Sequence, residues 1–152
     1  MVIYFVIVNT IAIYLFPGGS LYDPTLTSYS FSENFFSDLG VYETVSGEQN
    51  FLSCFLFNST LVMMGFACLS FILVPRLFKD NKISYVCATI GSYIAMLSGL
   101  SFLGVGLTPA DLYFHEHVFF VIVGFRSMVP AMVFLTLAFF FSPVSNKYTV
   151  AS

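Results

Sequence analysis

Gly104-Val-Gly-Leu-Thr-Pro-Ala-Asp-Leu-Tyr-Phe-His-Glu-His117 is a polar knot between two long apolar runs. It holds both histidines of the chain and two of its eight acidic residues, Asp111 and Glu116. The flanking runs, 83–107 and 116–141, are each long enough to cross a bilayer, which takes about 20 apolar residues. The knot therefore reads as a connection between two membrane helices. Thr108-Pro-Ala-Asp111 has the pattern of a helix start, with Thr as N-cap, Pro at the first helical position and Asp at the third. A helix from Pro109 to Phe141 would be about 50 Å long at 1.5 Å per residue, more than the hydrocarbon core, which puts both histidines in the headgroup layer.

The composition agrees. Of 152 residues, 58% are hydrophobic and 9% charged, against about 25% charged in soluble domains. The length allows one unit, a single membrane domain over 1–152. A net charge of -3 supplies no basic face for nucleic acid. Cys54, Cys68 and Cys87 all fall in apolar runs, where they read as packing residues, not a disulfide framework. No phosphate loop, nucleophile elbow, Cys-x-x-Cys or His-Glu-x-x-His is present, and neither metal nor cofactor is expected.

The remaining segments follow from the same reasoning. Residues 2–16 are apolar apart from Asn9 and Thr10 and form a first helix, short for a span. Without a basic leader or a small-x-small cleavage site the run does not read as a signal peptide. Residues 17–50 are a polar connection without Lys or Arg, carrying Asp23, Glu33, Asp38, Glu43 and Glu48. Within it Ser30 and Glu33 fit a capping box, and Phe31, Phe35, Phe36 and Leu39 follow at helical spacing before Gly40. This predicts an amphipathic helix over about 30–39. Residues 51–74 are a span closed by Pro75. In the third span Cys87, Gly91, Ala95 and Gly99 recur every fourth residue, a small-residue face that lets another backbone approach and offers a surface for a second copy. Arg76, Lys79 and Lys82 hold three of the five cations, and Lys147 follows the last helix. Basic short loops stay cytoplasmic, so both termini are expected in the cytoplasm of a cell-membrane protein, with the 17–50 connection and the knot outside. The expected fold is an all-α integral membrane protein of four transmembrane helices, plus the short amphipathic helix in the first outer loop.

Phe36-Ser-Asp-Leu-Gly40, then Phe57-Asn58, then Gly104-Val-Gly-Leu-Thr-Pro109 followed by a histidine resemble an uncharacterised prokaryotic family of multi-pass membrane proteins, the domain of unknown function 998. The likeness covers about residues 10–135. It implies the fold and no settled chemistry. Members usually have more than four spans, which makes this chain look short at one or both ends. Thr108 stands where the family has an aromatic, and the family's histidine registers on His115 or His117.

Two constellations could carry function. The first is the outer cluster of Ser37, Asp38, Asp111, His115, Glu116 and His117, where imidazole beside carboxylate suits acid–base work. Asp38 with His115 or His117 would make a lipid-modifying enzyme. Asp111 and His115 share a helix face. The second is Arg126, about ten residues into the fourth helix, where a cation must find a partner. Asn9, Asn58, Ser98 and Ser101 fall in about the same layer, and Pro130 should kink the helix and free the Arg126 carbonyl. The reading ranked first is a protein that binds or transports an anionic membrane-lipid headgroup or solute in a cavity with Arg126, Asn58, Asn9 and Ser101. The alternatives are the enzyme and a structural or assembly subunit.

Overall fold

The computed structural model describes residues 1–142. Lys147, and the placement of the C-terminal tail inferred from it, lie outside the described residues. The described chain is helical, with no strand and one isolated antiparallel bridge between Glu43 and Gln49. Helix α1 is Val2–Leu15, α2 is Phe51–Cys68, α3 is Lys82–Leu107 and α4 is Phe114–Phe140. Three stretches are long and apolar enough to cross a membrane: Phe51–Phe78, Lys82–Leu107 and Phe114–Phe140. The described residues thus form a helical chain with three stretches that could span a membrane. The apolar α1 has 14 residues, about 21 Å at 1.5 Å each and short of the hydrocarbon core.

Three local expectations are corrected. Pro75 does not close the second helix, because α2 continues as a 3-10 helix, Leu69–Phe78, with Pro75 inside it. Proline has no N–H for the carbonyl four residues back and its ring crowds that carbonyl, and the tighter winding spans this point. Helix α4 does not restart at Pro109. Thr108 Oγ1 instead donates back to Gly104 O in the last turn of α3 at 2.8 Å. The Leu112 and Tyr113 amides both reach Pro109 O, at 3.1 and 2.9 Å, in a single turn before α4 begins. The amphipathic helix over 30–39 reduces to a five-residue 3-10 turn, Phe36–Gly40. The Ser30–Glu33 capping box fails because Asn34 Oδ1 accepts from the Ser30 amide at 3.0 Å, closing a side-chain turn that competes with helix.

The chain divides into two compact units. The first comprises Met1–Met64 and Phe102–Phe120, the second Gly65–Ser101 and the described residues from Val121 onward. In the first unit Asn9 of α1 donates to Thr60 Oγ1 of α2 at 3.2 Å. Phe36 lies between the Phe5 and Phe57 rings, with centroids at 6.3 and 5.1 Å, so the connection packs against α1 and α2 together.

In the second unit Phe78, Ala88 and Ala138 form a buried cluster with Val74, Cys87 and Phe139 against it. Asn81 caps α3 by accepting from the Ile83 and Ser84 amides at 2.9 and 3.1 Å, a start signal that the sequence reading passed over. The small-residue face of α3 is occupied inside the chain. A Cβ on Gly91 would lie 2.9 Å from Leu135 Cγ, and one on Gly99 would lie 3.0 Å from Cys68 Sγ. At these two positions the face packs against α4 and α2 of the same chain. Gly91→Val should overpack this contact and destabilise by about 1–3 kcal/mol. The exposed Ile90→Val should stay within about 0.5 kcal/mol. Thermal or denaturant unfolding in detergent checks both.

Candidate functional site

The first unit is built around three carbonyls. Asn50, Ser53, Cys54 and Asn58 fall on one edge of α2 and its approach, at the spacing that places residues three and four apart on one helical face. Asn50 Nδ2 donates to Leu39 O at 3.1 Å and to Val41 O at 3.0 Å. Ser53 Oγ donates to Leu39 O at 3.2 Å, and Cys54 Sγ to Gly40 O at 3.2 Å. Asn58 Nδ2 donates to Gly40 O at 3.0 Å. Asp111 holds the next residues by accepting from the Tyr42 and Glu43 amides, both at 3.0 Å. Gly40 is required by this approach, since a Cβ there would lie 2.7 Å from Phe57 Cδ1 and 2.8 Å from Asn58 Oδ1. Gly104 and Gly106 play the same part at the end of α3. A Cβ on Gly104 would meet the Phe120 ring at 2.6 Å, and one on Gly106 the Asn58 carbonyl at 2.7 Å. The segments 36–40, 57–58 and 104–109 thus belong to one packing arrangement.

The residues proposed as catalytic are not assembled. The Asp38 carboxylate accepts from Asn34 Nδ2 at 3.1 Å and from the Phe35 amide at 3.0 Å, and so closes the 3-10 turn. His117 is 6% exposed, and its Nδ1 lies 2.7 Å from Thr108 O. A carbonyl only accepts, so Nδ1 carries the proton. His115 is exposed and sets its ring edge-on to Phe114 at 5.9 Å. Among the described residues Asp38 bonds to neither imidazole, and no three His, Cys, Asp or Glu side chains gather as metal donors. Asp111 is a clamp on the connection, not a helix cap. Glu116 is exposed and Ser37 partly so.

The residues proposed to share a layer with Arg126 have the following partners. Arg126 is exposed on α4 and makes no hydrogen bond or ion pair among the described residues. Asn9 is 4% exposed, donates to Phe5 O at 2.7 Å besides Thr60, and leaves its Oδ1 without a partner. Ser98 Oγ donates to Gly124 O at 2.8 Å, and Ser101 Oγ to Leu97 O at 2.9 Å. Asn58 serves Gly40. Each is met by backbone near it, and none turns to the guanidinium. Helix α4 runs through Pro130 as one element.

What the sequence reading missed is a groove in the first unit. It encloses about 430 Å³ and is walled by Phe51, Phe55, Val62, Met63 and Leu107, with Tyr42, Asn58 and Ser59 as its polar members. The signal was available: Phe51, Phe55, Ser59 and Met63 recur every fourth residue.

Comparison with protein-family models, with curated proteins and with solved structures returns no match to this chain.

Asp111→Ala should free the Tyr42 and Glu43 amides. About 1 kcal/mol of local protection should be lost, roughly fivefold faster hydrogen exchange at these two positions. Asp111→Asn, which keeps one acceptor oxygen, should lose less. Exchange measured by mass spectrometry over 38–46 checks this.

Proposed function

We propose that this chain is a non-catalytic lipid-binding membrane protein whose ligand is a membrane lipid with an acyl chain laid in the groove of the first unit. The observation that carries this reading is the groove itself. It is walled by aromatic and aliphatic side chains of a membrane-spanning helix, where the surrounding solvent is lipid, and it offers a few polar groups to fix orientation. The Asn58 amide is committed as a donor to Gly40 O, which leaves the Tyr42 hydroxyl to orient the ligand. No cation lines this groove, so it selects the chain and not an anionic headgroup. The dispersed positions of Asp38, His115 and His117 favour binding over lipid modification.

The reading includes the finer topology. Helix α1 is taken as a fourth, thin span beside the three longer ones, and both termini lie in the cytoplasm of a cell membrane, on the strength of the Arg76–Lys82 charges. The resemblance to the domain of unknown function 998 belongs to the same proposal. It is supported by the use of the 36–40, 57–58 and 104–109 segments in one packing arrangement.

Native mass spectrometry of protein stripped by mild detergent tests the ligand. The wild type should retain about one lipid per chain. Val62→Trp, which fills the groove, should reduce retention of phosphatidylcholine more than tenfold. Leu52→Trp, at an exposed position outside the groove, should not. Equal retention by both variants, or none by the wild type, overturns the reading. Topology is tested with single cysteines at Asp80 and Glu43 in a background lacking the native three. An impermeant thiol reagent should reach them from opposite sides of the membrane, position 43 from outside.

A further inference from the structure

The second unit carries a recess of about 150 Å³ between the 3-10 helix Leu69–Phe78 and α3. Its walls include Ile72 and Arg76 from the first and Tyr85, Ser92, Tyr93 and Met96 from the second. Arg76 is exposed and has no hydrogen bond or ion pair among the described residues. Asp80, four residues on and the usual helix partner for such a charge, makes no salt bridge to it.

Ser92 is the independent observation. It is 2% exposed and its Oγ has no partner. A serine or threonine inside a membrane helix ordinarily returns its hydroxyl to the carbonyl four residues back. Thr89, Ser101, Thr108 and Ser127 all do so, at 2.6–2.9 Å. Ser92 does not. An orphaned hydroxyl is expensive in a buried site, and Ser92 lines the recess together with Arg76, Tyr85 and Tyr93. Neither Tyr85 nor Tyr93 uses its hydroxyl among the described residues. A second recess, of about 320 Å³, adjoins at Tyr85 and is lined by Lys79 and Lys82. Arg76, Lys79 and Lys82 are three of the five cations of the chain.

We infer that this recess binds a phosphate group. Arg76 supplies the planar, permanently charged fork that matches phosphate oxygens. Ser92 Oγ donates a hydrogen bond at the buried end, and the phenols of Tyr85 and Tyr93 donate from the sides. Ile72 and Met96 give the site an apolar wall beside the anion, which suits the first carbons of a phosphate ester. The ligand is therefore a phosphate monoester or diester, carried by an anionic membrane lipid or by a small soluble ester. This site is independent of the acyl-chain groove and shares no residue with it.

Purified full chain in a neutral detergent is titrated with phosphatidic acid, phosphatidylcholine, glycerol 3-phosphate and inorganic phosphate. Bound stoichiometry is read by native mass spectrometry, and affinity by the shift in thermal unfolding midpoint. In the Val62→Trp chain, whose groove is filled, one phosphatidic acid should bind tightly and phosphatidylcholine at least tenfold more weakly. Arg76→Gln and Ser92→Ala should each weaken phosphatidic acid at least tenfold, and Lys82→Gln less than threefold. The wild type should take up one further lipid of either headgroup in the groove, which separates failure here from failure of the groove. Glycerol 3-phosphate binding as tightly as phosphatidic acid through Arg76 and Ser92 identifies a soluble ester as the source and upholds the site. Ser92→Ala removes no charge and so decides between a site and a basic surface. If Ser92→Ala leaves the affinity unchanged, or if Arg76→Gln and Lys82→Gln weaken binding equally, the recess is not a phosphate site. Tyr93→Phe, with an expected loss of at least threefold, gives the same test should Ser92→Ala prove unstable.

Discussion

Irregular backbone buried against a helix must have its carbonyls and amides satisfied by protein, because water is kept from them and an unpaired buried group costs about a lost hydrogen bond. The first unit meets that constraint with one edge of α2. Asn50, Ser53, Cys54 and Asn58 between them take the carbonyls of Leu39, Gly40 and Val41, and Asp111 takes the two amides that follow. The arrangement explains why a glycine stands at position 40 and why amides appear in an otherwise apolar helix. Polar residues inside membrane helices read first as functional. Here Asn58 and Ser53 are supports for a loop, and the apolar groove is what the support leaves open beside Asn58.

The apolar runs were the legible part of the fold. Their lengths locate the three stretches of the described residues that are long and apolar enough to cross a membrane, because hydrophobic content and reach along a helix are properties of the sequence alone. Their ends were less legible, since an end depends on which of several local hydrogen bonds wins. Ser30 and Glu33 carry a valid capping pattern, but Asn34 takes the Ser30 amide and the Gly19 carbonyl instead. Thr108 has the right type for an N-cap, but its hydroxyl has a carbonyl of α3 within reach and uses it. Asp111 was read as a cap because its real partners lie 68 and 69 residues away, beyond any local pattern.

The candidate site was less legible still. Sequence reasoning ranked Arg126 by depth and Asp38 and His115 by chemistry, and depth and chemistry do not fix side-chain direction. Arg126 is exposed among exposed neighbours at helical spacing, Ile122, Val129 and Val133. A cation in such a face costs roughly 2.5–3.5 kcal/mol on insertion scales. Asp38 and Asn34 bond to each other and to nearby backbone. A carboxylate already holding two donors is poorly placed to act as a base.

Arg76 and Arg126 show how the same side chain acquires different meaning from its neighbours. Arg76 lies two residues from the end of the apolar stretch Phe51–Phe78, with Lys79 and Lys82 close behind. Arg126 lies twelve residues into α4 with no ionisable residue within eight positions on either side. A charge near a helix end can reach the interface along its own aliphatic stem at little cost. That freedom makes an end position the cheaper place for a cation that must exchange an anionic ligand. The recess at Arg76 adds what the open face of Arg126 lacks, a buried serine whose hydroxyl has no partner and two tyrosines lining the same recess.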